Sequence, residues 1–328
     1  MCLKTRRSHE LTDIKGNLQI GKNYAVIIAL LKHSQRKLFN NIEKYKKYIF
    51  ASESIFDRSG ELQKEFDTPP DEIKKTYEKV LDAFGKIDFP YSVITINDDS
   101  YPALLKRVSM PPPILYVKGD VNLFTENAIS IVGSRTPSDL GIRRATKLAY
   151  LLVDAGFTVV SGLAKGIDSA AHNGAIEVGG KTIGVIGTPL NIFYPKENSL
   201  LQQKIAESHL LVSQFPFSQH VSPLNFPTRN YTMCGLTKAT IIVEASERSG
   251  ALIQARFCLK EGRHLFILKN LLERSDLTWP KHYVKQGAKV LEKIEDVLGH
   301  LDDVRKSENK TELINQQLEL FETPTDDD

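Results

Sequence analysis

The sequence is poor in the residues that build metal centres and covalent frameworks. Its 328 residues include only three cysteines, Cys2, Cys234 and Cys258, far apart and odd in number. They fit no disulfide framework and no metal cluster, and they imply a reducing compartment. No apolar run approaches the roughly 20 residues that span a bilayer. The basic start MCLKTRRSHELTDIKG lacks the apolar core of a secretory signal. A cytoplasmic location without a membrane partner is therefore expected. Catalytic signatures are missing too: there is no GxxxxGK(S/T), no GxGxxG after the first β-rich run, and no HExxH, CxxC or GxSxG. These absences exclude a P-loop nucleotide hydrolase and weaken dinucleotide binding. They leave zinc, redox and acyl-transfer chemistry without support, so no metal, cofactor or catalytic residue is expected.

What is present is ordinary in amount but unevenly placed. Hydrophobic residues make up 41% and charged residues 25%, as in a soluble globular protein. The net charge is +3, yet residues 302–328 carry nine acidic side chains against Arg305, Lys306 and Lys310. That tail is net −6, which leaves +9 on residues 1–301. A body of that sign suits a polyanionic partner, although a solubilising surface explains it equally simply.

Four regions follow from the patterning. Residues 1–19 read as a flexible N-terminus. Residues 20–95 read as a small helical domain, because YAVIIALLKHSQRKLFNNIEKYKKYIF spaces its apolar residues by three and four. Pro111 to Pro113 forbid a continuing helix and enforce an extended connection. Residues 96–301 alternate short β-branched runs (AISIVG, FTVVSG, KTIGVIG, HLLVSQF, TIIVEA, HLFIL) with helical patterns. That alternation predicts an α/β fold, an extended Rossmann-like, mostly parallel sheet with helices on both faces. Residues 302–328 hold too little apolar material for a core and read as an acidic disordered tail.

Ligands of such sheets gather where strands pass into helices. The first β-run ends in Gly133-Ser134-Arg135, which offers close backbone approach, a hydroxyl donor and a guanidinium that forks onto phosphate. The second ends in SGLAKGIDSAAH, with Gly162 and Gly166 around Lys165, ahead of a helix whose free N–H groups attract an anion. Asp168 either caps that helix or faces ligand. His172, one turn on, either bonds Asp168 or lines the cleft.

Taken in order, these turns resemble the DNA-processing protein A (DprA/Smf) family. The resemblance starts at Tyr101-Pro102 with Leu104 and runs to about residue 300. It includes PPPILYVKG, IVGSR, SGLAKGIDSAAH, GAIEVGGKTIGV, YPKEN, NFPTRN, IIVEASERSGALIQA, EGRHLF and VKQGAKVLEKIEDVL. It implies a homodimeric single-stranded-DNA-binding protein that protects strands and loads the RecA recombinase in DNA uptake or recombination. It points to Arg135 as the leading phosphate ligand, with Lys165 and Lys196 in support. In NFPTRN, placed in a loop, Phe226 offers a ring for base stacking and Arg229 a guanidinium for phosphate; a core position is the alternative for Phe226. Asn230 either bonds a base edge or fixes the loop. Glu244, Ser249 and Gly250 either face a ribose or phosphate or hold the backbone.

The chain also departs from the family pattern. Tyr231 stands where a second arginine is common, and offers a ring for stacking. Ser213-Gln214 replaces Ser-Glu, Gln254 replaces a threonine, and Lys269-Asn270 replaces Pro-Gly. No winged-helix domain is expected after residue 301. In the tail, Gln317-Leu318-Glu319-Leu320-Phe321 resembles peptides that dock on the replication sliding clamp; a linker remnant or a short amphipathic piece is the alternative. Two other functions remain open at this level. One is a nucleotide-binding enzyme or sensor resembling nucleoside-monophosphate hydrolases, although EASERSGALIQA matches their PGGxGTxxE stretch poorly. The other is a DNA-sensing defence protein.

Overall fold

A computed structural model describes residues 3–124 and 127–301. The expectations placed on residues 302–328, including Gln317, Leu318, Leu320 and Phe321, lie outside the described residues. Nine strands among the described residues form one sheet: β1 (Ser92–Thr95), β2 (Ile114–Gly119), β3 (Ala128–Val132), β4 (Thr158–Ser161), β5 (Thr182–Val185), β6 (Leu210–Ser213), β7 (Ala239–Ile242), β8 (His264–Leu268) and β9 (Lys289–Leu291). Their spatial order is β1-β2-β6-β5-β4-β3-β7-β8-β9. Only β2 runs against its neighbours; every other pairing is parallel.

The central strands are buried along their whole length, which is why they read as continuous apolar runs rather than alternating ones. Helices Asp139–Asp154, Ile167–Glu177 and Ala251–Lys260 supply the crossovers. The chain winds outward from β3 to β6, then returns to the other side of β3 with β7. Between β3 and β7 the winding direction reverses, and the ends of these two strands frame the site.

The helical segment is not an independent unit with its own core. Helix Leu3–Leu30 passes through the expected boundary at residue 19, and Asn17 already donates to the Val93 carbonyl at 3.2 Å. Tyr24, Ile27, Leu38 and Tyr48 pack in one cluster with Ile114, Tyr116, Ile186 and Ile205 of the sheet layer. β1, counted with the helices from sequence, pairs with β2, and Tyr116 Oη donates to the Gly21 carbonyl at 2.8 Å. Phe217 gathers Phe84, Tyr91 and Tyr116 around it with ring centroids 4.7 to 5.6 Å away. Such ring pairs add about 0.5–1.5 kcal/mol each beyond area burial, and they tie the two parts together.

NFPTRN is the other difference. It opens the helix Asn225–Gly235 instead of lying in a loop. Pro227 sits in the first turn, where its missing N–H breaks no intrahelical bond. Cys234 of this helix packs against Cys258 of helix Ala251–Lys260; both are buried free thiols, and their contact and burial push the Cys234 thiol upward.

Candidate nucleic-acid interface

At the ends of β3 and β7 lies a cavity of about 390 Å3. One wall is the turn after β3, Gly133 to Thr136; the opposite wall is Ser246 to Ala251 after β7. Phe226, Arg229 and Asn230 close a third side from the start of their helix.

The turn after β3 is held by hydrogen bonds that leave one side chain out. Ser134 N donates to the Glu244 carbonyl at 2.6 Å, and the Ser134 carbonyl accepts from Ile167 N at 3.1 Å. The Ser134 hydroxyl caps Thr136 N at 3.1 Å. The Glu244 carboxylate accepts from Ser138 N at 3.0 Å and from the Ser138 hydroxyl at 2.7 Å. Glu244 thus braces the turn from across the sheet and does not face the cavity. Gly166, at φ +77°, occupies a conformation and a space open only to glycine: a Cβ there would meet the Ser134 carbonyl at 2.5 Å. It shapes the turn without lining the cavity.

Arg135 is what remains. Its guanidinium is exposed, stands 5.7 Å from the centre of the Phe226 ring, and pairs with no carboxylate among the described residues. A planar cation over a ring is stiffened without being neutralised. Arg248, on the opposite wall, is likewise exposed and unpaired among the described residues.

Arg229 has a different role from the one expected. It is only 5% exposed, and its guanidinium donates to the Val185 carbonyl at 2.9 Å. A Cβ on Gly162 would fall 1.4 Å from it, so that glycine exists to let the guanidinium lie on the backbone. Burial pulls its pKa down; Asp168 opposes this and Arg135 adds to it. Asp168, also buried, has its carboxyl raised by burial and pulled back by Arg229 and the nearby N–H groups of Ala164 and Gly162. It accepts from Ala164 N at 3.3 Å in the first turn of helix Ile167–Glu177. That helix start is therefore already supplied with an anion. The start of helix Ala251–Lys260, behind Ser249 and Gly250, is not.

The other expected residues divide in the same way. His172 is fully buried, away from the cavity: its Nδ1 lies 2.7 Å from the Thr182 hydroxyl. That hydroxyl gives its proton to the Val159 carbonyl, so Nδ1 carries the donated hydrogen. Burial lowers the imidazole to about 3. Lys165 is bound to Glu197 at 2.5 Å, both exposed. Lys196 is exposed beside Pro195 but lines no wall of this cavity. Asn230 fixes the opposite loop through the Gly250 carbonyl at 3.2 Å, and Ser249 caps Ala251 N at 3.3 Å. Tyr231 is unavailable for stacking: it is buried, its hydroxyl accepts from Met110 N at 2.9 Å, and it meets Ser109 and Glu261 at 3.0 Å.

Two residues of the cleft are not singled out by the sequence reading, and a third, Gln254, stands out there only as a departure from the family pattern. Arg248 lay between the chosen Glu244 and Ser249; the cation itself was the signal. Tyr194, in YPKEN, lies against Phe226 with ring centroids 5.3 Å apart and the rings tilted at 42°. Gln254 is buried in the cavity floor, donating to Ser130 and Thr240 at 3.0 and 3.2 Å while its Oε1 has no protein partner. Among the described residues no group of three or more His, Cys, Asp or Glu could hold a metal, and no helix is long and apolar enough to cross a membrane.

A Rossmann-like sheet whose switch point carries exposed guanidinium groups, a glycine-rich turn and a partly exposed ring defines an α/β protein with a cationic cleft at its switch point. The family described as DNA recombination-mediator protein A matches residues 92–302, and the chain belongs to that family. It is 36% identical to DNA processing protein DprA of Streptococcus pneumoniae over 71% of this chain and 83% of that one. The X-ray structure of that protein superposes with a TM-score of 0.70 at 30% identity, covering 87% of this chain and 97% of that chain. Protein Smf of Synechocystis is 38% identical over 60% of this chain, which spans only 51% of that protein. DNA processing protein A from Helicobacter pylori, whose structure is described as giving insight into its single-stranded DNA binding mode, superposes with a TM-score of 0.58 at 27% identity. That match covers 66% of this chain and 99% of that one.

Proposed function

We propose that the cleft grips the phosphates of single-stranded DNA, with Arg135 as the principal ligand, Arg248 facing it and Phe226 stacking on a base. The observation that carries this is the pair of exposed guanidinium groups, unpaired among the described residues, that line the same 390 Å3 cavity. A strand-binding mode in the Helicobacter relative supports it. The protein acts by binding, as a recombination mediator that protects strands and delivers them to the RecA recombinase. It works in the cytoplasm as a homodimer, and its tail, through Leu320 and Phe321, docks on the sliding clamp. Fluorescence anisotropy with a labelled single-stranded oligonucleotide, a duplex competitor and a salt series tests the core of this reading. The expected outcome is preference for the single strand and a linear fall of log affinity with log salt. Absence of binding at low salt would refute it.

One observation favours a second reading, the binding of a small nucleotide. Gln254 leaves a buried acceptor without a protein partner in the cavity floor, and a base N–H would satisfy it. A panel of nucleotides in the same assay, as competitors, separates the two.

A further inference from the structure

Arg135 and Phe226 do not only line the cavity; they divide it from a second basin of about 130 Å3. Gly162, Lys165, Gly187 and Tyr194 surround that basin on the far side of the ridge. Its size admits one planar base and not a whole nucleotide. Its two glycines are covered by side chains: a Cβ on Gly162 would meet the Arg229 guanidinium at 1.4 Å and one on Gly187 the Phe226 ring at 2.8 Å, so the cation and the rings, not bare backbone, form its walls. Two aromatic rings line it, Phe226 and Tyr194, inclined to each other at 42°.

Tyr194 is 46% exposed, an unusual state for a ring held beside a cleft, and Phe193 before it is as exposed. Cations surround these rings. Arg135 stands on the ridge, Lys196 is two residues after Tyr194, and Lys165 lies on the wall. The Lys165–Glu197 pair is solvent-exposed on both sides and binds weakly enough for a phosphate to displace it. An occupant that satisfies rings and cations together is an aromatic ring carried on an anionic backbone. The basin adjoins the larger cavity across the Arg135–Phe226 ridge, which lines both.

We propose that this basin receives a nucleobase of the bound strand, with Tyr194 as a second stacking platform beside Phe226. The inference rests on the reading of the cleft as a strand-binding site. A strand then crosses the Arg135–Phe226 ridge with one phosphate on Arg135, places the next base against Tyr194, and leaves towards Lys165 and Lys196. Stacking of this kind tolerates every base, because each has a π-face.

Three strands of equal length test it: an oligothymidylate, an oligoadenylate, and an abasic strand that keeps the phosphates and lacks the bases. The wild-type protein should bind both base-bearing strands more tightly than the abasic one. Tyr194→Ala should weaken the base-bearing strands at least about fivefold and leave the abasic strand unchanged. Tyr194→Phe should restore wild-type affinity. As a second readout, Tyr194→Trp should give fluorescence that the oligothymidylate quenches and the abasic strand does not, over the background of the single native Trp279, which is buried. If Tyr194→Ala binds all three strands as the wild type does, or weakens them equally, the base pocket is overturned while the cleft stands. If the wild type binds none of the three, the cleft reading itself has failed.

Discussion

Arg135→Ala separates binding from folding more cleanly than any other substitution in the cleft. The side chain is exposed and has no ion pair among the described residues, so its loss leaves no buried partner unsatisfied. The fold loses only the contact with Phe226, about 0.5–1 kcal/mol for a cation over a ring at an exposed site. In a chain of this length that corresponds to a melting shift of a few degrees, under about 3 °C. Binding loses a charge-assisted hydrogen bond to phosphate, about 1.5–3 kcal/mol, or a rise in Kd of about 10- to 150-fold.

The salt dependence adds an independent number. One fewer neutralised phosphate on a single strand should flatten the log–log slope by about 0.7. Arg135→Lys keeps the charge and loses the planar fork, so it should retain the wild-type slope with an intermediate Kd. The assay is anisotropy with a labelled oligonucleotide at several salt concentrations, alongside a thermal melt. An alanine variant with wild-type Kd and slope would refute the assigned role. A weakened Kd with an unchanged slope would place Arg135 in the support of Phe226 and not on a phosphate.

Three further substitutions probe what holds the cleft. Gly162→Ala puts a methyl group 1.4 Å from the Arg229 guanidinium and must displace a buried cation from the Val185 carbonyl; a loss of about 3 kcal/mol or more in urea unfolding is expected, and an unchanged midpoint would contradict the packing. Tyr231→Phe leaves Met110 N–H without its acceptor and should cost about 1–3 kcal/mol in stability with strand affinity unchanged; lost affinity at normal stability would return Tyr231 to the binding surface. His172→Gln should reduce acid sensitivity. The native imidazole is held neutral down to about 3 while the unfolded one takes a proton near 6.5, so the wild type loses stability as pH falls through that window. Between pH 6.5 and 5 the share of that loss due to His172 is about 1.7 kcal/mol, and urea titrations at the two values should show the wild type falling by about that much more than the variant.

The layout of the sheet was legible because its central strands are buried on both faces and sit between helices. All six β-runs read from the sequence became β3 to β8. β1 was missed as a sheet member because its four residues stand against helix Leu3–Leu30 and pair only with β2, an arrangement no local pattern announces. NFPTRN reads as a loop from sequence, yet it opens a helix whose first turn holds Pro227, where a proline breaks nothing. The site was legible as a set of turns but not as a set of roles. Arg135 and Arg229 are the same residue type in equally marked motifs. Only the approach of the Asn225–Gly235 helix over Gly162 decides that one is buried and the other free. For Glu244 the sequence leaves ligand contact and backbone support equally open, and only the pairing of β3 with β7 brings its carboxylate to Ser138.

That division of labour bears on how a nonspecific strand binder can be built. The buried charges, Arg229 and Asp168, lie opposite each other in sign and near each other in effect, so they fix the glycine turns while adding little net charge to the cleft. The exposed charges, Arg135 and Arg248, have no carboxylate partner among the described residues and stand on different walls. Arg135 disfavours the charge on buried Arg229, a repulsion that a phosphate bound at Arg135 would relieve. On the proposed reading that relief would depend on charge and not on base identity, and so would serve any strand. A duplex keeps its bases stacked in pairs and cannot offer one to Phe226, so the expected preference for single strands would follow from the ring, not from the arginines.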